Sequence, residues 1–173
     1  MHPLIRKQMK KTLMIVICLL AVITARAGDG DEFFTLNGGF LFNSTVNATF
    51  GYERELDYGN AVELFGEVGD RWHEDPICGK VCPRIFWKDY YWGGGILYKK
   101  SLRRFKNSTL RFRFGPECGS HRGDFYFGLE GGFEYSYVFP GGVHLTVIQK
   151  NNVNFNHGDT FRNGLLIGLK IPF

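Results

Sequence analysis

The stretch Phe161-Arg-Asn-Gly-Leu-Leu-Ile-Gly-Leu-Lys-Ile-Pro-Phe173 constrains the fold more than any other part of the chain. Its odd positions Phe161, Leu165, Ile167, Leu169, Ile171 and Phe173 are apolar, with Asn163 the exception. Its even positions Arg162, Gly164, Gly168 and Lys170 are charged or small, with Leu166 the exception. Period two, with one face fit for hydrocarbon and the other polar, is the pattern of a transmembrane β-strand between lipid and a barrel lumen. An amphipathic strand of a soluble sandwich is the alternative, and the N-terminus argues against it.

Arg6, Lys7, Lys10 and Lys11 precede an uncharged apolar run from Leu13 to Ile23, and Ala25-Arg-Ala27 supplies small residues for signal peptidase. This predicts a signal peptide over residues 1–27 and a mature domain over 28–173. The run is too short for a comfortable transmembrane helix. Cys18 follows Ile17 inside that run, which does not suit a lipoprotein signal. The full chain carries a net charge of +4, but five of its 21 basic residues (Arg6, Lys7, Lys10, Lys11, Arg26) belong to the signal. The mature chain then has 16 basic and 17 acidic residues, so its charge is no argument for direct nucleic-acid binding. Phe173, with Ile171 two residues back and Gly168 five back, resembles the assembly signal of bacterial outer-membrane barrels. That resemblance implies the barrel assembly machinery as a partner, and outer-membrane lipid as the surroundings.

The rest of the chain repeats this pattern. Candidate strands fall at about 32–42, 46–55, 61–69, 90–100, 109–115, 125–139, 143–150 and 161–173. Aromatic residues make up 16% of the chain and cluster toward strand ends, as an interfacial girdle requires. The fold expected is all-β: an eight-stranded antiparallel up-and-down transmembrane barrel after a cleaved signal peptide. With both termini periplasmic, short turns (57–60, 140–142) alternate with longer outer loops after the third, fifth and seventh strands. The first outer connection, Asn43-Ser-Thr45, is tight. Eight strands leave an interior just wide enough for side chains. Alternation sends Glu53, Glu63, Glu67, Glu130 and Glu134 inward against Arg111, Arg113, Arg162 and Lys170. Paired, these charges would fill the lumen; unpaired, each would cost several kcal/mol in desolvation. A plugged barrel is expected, and a general-diffusion porin is excluded on size.

Cys78, Cys82 and Cys118 remain after signal removal, all assigned to outer loops. Either Cys78–Cys82 closes a small loop or one of them bridges to Cys118. Cys78-x-x-x-Cys82 with Cys118-x-x-His121 also has zinc-ligand spacing. An oxidising envelope favours the disulfide, and no metal or other cofactor is expected. His157, Asp159 and Thr160 lie close together in the last outer loop and faintly resemble the His-x-Ser-Asn stretch of lipid A deacylases. Asp159 stands at the nucleophile position, so a turn is the better reading. Trp72, His73 and His144 read as rim and wall residues without visible partners. Lys99, Lys100, Arg103, Arg104 and Lys106 form a basic run assigned to a periplasmic turn near lipid headgroups, with docking of a partner as the alternative.

From about Leu97 onward the layout is similar to the TraO proteins of conjugative transposons in Bacteroidota. The carriers are Phe127-Gly-Leu-Glu-Gly-Gly-Phe-Glu-Tyr135, a short turn, the Val143-His-Leu-Thr-Val147 strand, a polar loop with Phe155 and Gly158, and Phe161 to Ile171. The resemblance implies an envelope component for conjugal transfer in the bacterial outer membrane. Such a component is not an enzyme, and it would contact other apparatus proteins through its turns, the Lys99–Lys106 region included. The alternatives are a free-standing small barrel for adhesion or envelope stability, and a lipid A-modifying hydrolase using His157.

Overall fold

A computed structural model describes residues 30–72, 88–155 and 160–173. The expected signal peptide (1–27), Cys78 and Cys82 with most of the second loop, and His157 with Asp159 lie outside the described residues. Eight strands form: β1 (Glu32–Leu41), β2 (Thr45–Glu55), β3 (Ala61–Arg71), β4 (Tyr90–Arg104), β5 (Ser108–His121), β6 (Asp124–Val138), β7 (His144–Asn154) and β8 (Phe161–Pro172). Each pairs antiparallel with its sequence neighbours, and β1 pairs with β8, closing the barrel. Closure gives every strand a paired neighbour on each side, so the sheet has no edge strand. The one short helical turn among the described residues is Asp57–Gly59 between β2 and β3, and no helix there is long and apolar enough to cross a membrane.

Side chains divide cleanly between the faces. Outward positions carry exposed apolar residues in the middle of the wall, such as Leu36, Val68, Leu129, Leu165 and Ile167. Aromatic residues flank them: Phe34, Tyr58, Phe105 and Phe173 toward the rim where β1 begins and β8 ends, and Phe40, Trp92, Phe125 and Phe161 toward the far rim. Phe173 stacks on Phe34 with ring centroids 4.6 Å apart. Inward positions hold charged, amide and hydroxyl side chains interleaved with glycines. Gly93 faces Tyr126, and a Cβ there would lie 2.3 Å from the phenol oxygen; one at Gly69 would lie 2.2 Å from the Tyr91 ring. The inward glycines therefore make room for the aromatic rings that fill the upper lumen.

The structure corrects several boundaries, among them the end of β7, which runs past Lys150 to Asn154. β5 does not stop before Pro116: it runs to His121, and β6 starts at Asp124, leaving only Arg122 and Gly123 in place of the longer polar loop expected from composition. Both turn residues have positive φ (54° and 98°), as a type I′ hairpin turn requires. The proline is tolerated because the ladder to β4 lapses between the pairs Gly95↔Glu117 and Tyr98↔Phe114, where Pro116 has no N–H to give. β4 likewise runs past Lys100 to Arg104, so the basic stretch is mostly strand and the connecting turn is Phe105-Lys106-Asn107.

Candidate functional site

The barrel interior is the part of the described molecule where charge is concentrated and buried. Glu53, Glu63, Glu67, Glu130, Glu134, Arg111, Arg113, Arg162 and Lys170 all point inward and are at most 2% exposed. Three further charges join them: Lys99, Lys150 and Glu117, each 1% exposed. Six acids thus meet six bases inside the wall. Strand alternation produces this arrangement, since residues two apart share a face.

In the half near the termini, Lys99 from β4 contacts three carboxylates: Glu53, Glu63 at 3.0 Å and Glu134 at 2.5 Å. Lys170 from β8 lies 2.7 Å from both oxygens of Glu53 and also bonds Glu134. Arg111 donates to Glu53 (2.8 Å), to Glu55 (2.9 Å) and to the Gly59 carbonyl (3.0 Å), tying the wall to the helical turn. Thr35 donates to Glu63 at 2.6 Å. Arg113 links the two halves, donating to Glu130 at 2.7 Å while lying 3.6 Å from both Glu63 and Glu134.

In the far half, Lys150 bonds Glu67 and lies 3.0 Å from Glu130. Tyr126 donates to Glu117 at 2.7 Å, and Asn152 donates to the other Glu117 oxygen. Asn47 donates to Glu67 (3.0 Å) and to the Tyr91 hydroxyl (2.7 Å). The Arg162 guanidinium stacks 3.9 Å from the Tyr91 ring centre and 4.9 Å from that of Tyr126. Closer to the rim, His121 bonds Asp89 at 2.6 Å.

Two carboxylate trios, Glu53/Glu63/Glu134 and Glu67/Glu117/Glu130, bring oxygens within 4.8 Å of one another, close enough for a cation. Lysine ammoniums already sit against both: Lys99 and Lys170 in the first, Lys150 in the second. The positive charge that such a trio requires is therefore supplied by the chain itself.

Cys118 is not in an outer loop. It lies on β5 as a free thiol exposed on the outward face, paired across the ladder with Phe127. His121, three residues on, points inward, so the two cannot converge on one zinc ion: an odd spacing along a strand separates the faces. Lys99 is likewise not a turn residue but a buried interior ion. Gly168 sits in β8 against Asn37, while Ile171 and Phe173 are exposed on the outer face at the end of that strand. Thr160 is exposed at the start of β8. His144 packs against Phe33, ring centres 4.8 Å apart, and Trp72 meets Phe40 edge-on at 5.8 Å.

Lys99, Lys150 and Glu117 escape a reading of the sequence for local reasons. Lys99 is hidden in a basic run, Lys150 ends the least regular strand, and Glu117 follows a proline. The alternation of Tyr91, Gly93, Gly95 and Leu97 nevertheless continues to Lys99, and that of Arg111, Arg113 and Gly115 continues to Glu117.

A closed wall, an apolar outer belt and a charged interior define the chain as an eight-stranded antiparallel β-barrel of the kind found among outer-membrane proteins. No protein-family model and no curated protein sequence matches it. Among solved structures it is similar to a major outer membrane protein from Thermus thermophilus, with a TM-score of 0.60 and 9% identity, over 84% of this chain and 100% of that one. A chain from the de novo design of transmembrane β-barrels aligns over 85% of this chain and 98% of its own length, with 13% identity and a TM-score of 0.46. At 9% identity the likeness to the Thermus protein is one of fold.

Proposed function

We propose that this chain is a non-enzymatic outer-membrane barrel that acts through its rims and outer face, as an envelope component of a conjugative DNA-transfer apparatus. The observation that carries the barrel reading is the interior. A lumen crossed by Lys99, Lys170, Arg113 and Lys150, each bonded to carboxylates from other strands, has its volume committed to side chains and not to a transported solute. The outward belt supports residence in lipid, since exposed residues such as Leu36 (63%) and Ile167 (60%) would otherwise face water. The transfer role rests on the resemblance of the C-terminal half to TraO proteins.

Membrane fractionation with density separation tests the first part: the mature chain should band with outer-membrane markers, and recovery in the soluble fraction overturns it. Deletion of the gene followed by mating assays tests the second. Transfer frequency should fall and return on complementation, whereas unchanged transfer removes the apparatus role and leaves the barrel reading standing.

A further inference from the structure

The β4–β5 hairpin is unlike the other two connections at the same rim. β3 pairs with β4 only as far as Ala61↔Lys99, so the segment from Lys100 to Arg104 continues beyond its neighbour. The register with β5 shifts between Ser101↔Arg111 and Arg103↔Leu110, which makes Leu102 an extra residue on β4. That bulge has a consequence for charge. Without it Arg103 would share the inward face with Lys99; with it Arg103 pairs with Leu110 on the outward face, in line with Lys100 opposite Phe112. Lys100, Arg103 and Lys106 are exposed, and the apolar side chains among them are exposed too: Leu102 by 52% and Phe105 by 50%. The Arg103 guanidinium lies 5.2 Å from the centre of the Phe105 ring. Arg104 turns the other way and binds Glu55 at 3.3 Å, fastening the hairpin to the neighbouring turn. The other two connections at this rim carry Asp57 or no charge at all (139–143), so the exposed basic residues are confined to this one hairpin.

We propose that this hairpin is a binding site for the phosphate of an anionic glycerophospholipid. Lys100 and Arg103, on the outward face beside Phe112 and Leu110, and Lys106 reach the phosphate, while Leu102 and Phe105 lie at the rim, where aromatic and aliphatic side chains meet the headgroup boundary. Continuity with the belt and the sign of the charge favour lipid over a protein occupant, because Lys100 lies across the ladder from Phe112, which packs with Phe133 on the outer wall, so the basic stretch begins where lipid already meets the wall. The inference rests on the reading of the chain as a membrane barrel.

The full mature barrel in detergent, titrated with phosphatidylglycerol or phosphatidylcholine and read by native mass spectrometry, tests it. Wild type should retain phosphatidylglycerol preferentially, and free glycerol phosphate should not compete at equal concentration. The triple variant K100Q/R103Q/K106Q should lose that preference, by about fivefold for each charge removed. L102S/F105S should weaken retention of both lipids. Both variants must keep the heat-sensitive gel mobility of a folded barrel, and single substitutions replace any that does not. Equal retention of the two lipids by wild type, or a preference unchanged in the triple variant, overturns the proposal. Loss of a cross-linked protein partner by a triple variant that keeps the lipid preference overturns it in favour of protein docking. Competition by glycerol phosphate equal to that of the lipid reduces the site to a phosphate site. Because the titration is done in micelles, its failure is separable from a failure of fractionation, which bears on location alone.

Discussion

Lys99 shows how much can rest on one side chain inside a narrow wall. Its ammonium faces Glu53, Glu63 and Glu134, and the other cations near those carboxylates are already engaged: Lys170 with Glu53 and Glu134, Arg111 with Glu53 and Glu55, and Arg113 with Glu130. Replacing it with methionine, which fills similar volume, leaves excess negative charge where water is excluded. Breaking a buried pair in this way costs about 3–5 kcal/mol. K99M should therefore lower the urea midpoint of the folded barrel in detergent by that equivalent. The double variant K99M/E134Q should recover part of the loss, and a midpoint unmoved by K99M would mean that the interior is hydrated and the charges screened. The nine interior charges named from the sequence could be assigned because each lies in a stretch with regular alternation. Lys99 could not be separated from its neighbours by composition, since Lys100 beside it is equally basic and faces outward. The alternation from Tyr91 to Leu97 extends to Lys99, and the register of β4 against β3 and β5 fixes it as the inward residue of the two.

Among the elements, the β5–β6 hairpin is the tightest described connection, and its chemistry is suboptimal. Arg122 occupies a positive-φ position (54°) that favours Asn or Gly, whereas Gly123 at 98° suits its place. Substituting Arg122→Asn should stabilise the barrel by about 0.5–1 kcal/mol, and Gly123→Ala should destabilise it by about 1 kcal/mol or more. Opposite shifts in urea midpoint would check the turn assignment, and a shared sign would refute it. This turn was illegible in the sequence because Pro116 reads as a strand breaker and Cys118-Gly-Ser120 as loop composition. The ladder tolerates the proline through a local lapse in pairing with β4, which only the paired strands reveal. The C-terminal strand, by contrast, is legible in the sequence: apart from Asn163 and Leu166 its polar and apolar faces separate, and one register with β1 and β7 satisfies both.

For the whole molecule, a filled interior dictates behaviour that a hollow barrel would not show. Reconstituted into planar bilayers, the protein should give no stable single-channel steps, while an unheated sample runs at a different gel mobility from a boiled one. Discrete, reproducible conductance would contradict the packing of the lumen. The closed architecture follows from the alternation and the strand count, both of which can be read from the chain. The arrangement inside cannot: which base meets which acid depends on stagger between strands, and that is fixed only when the wall closes.

Closure has one more consequence. Lys170, close to the end of the chain, bonds Glu53, 117 residues earlier, and Glu134 as well. A wall without β8 leaves those acids short of a cation, and one closed a residue out of step also turns Lys170 toward hydrocarbon. The interior ions therefore act as proofreading: they favour a wall zipped in register over one closed out of step.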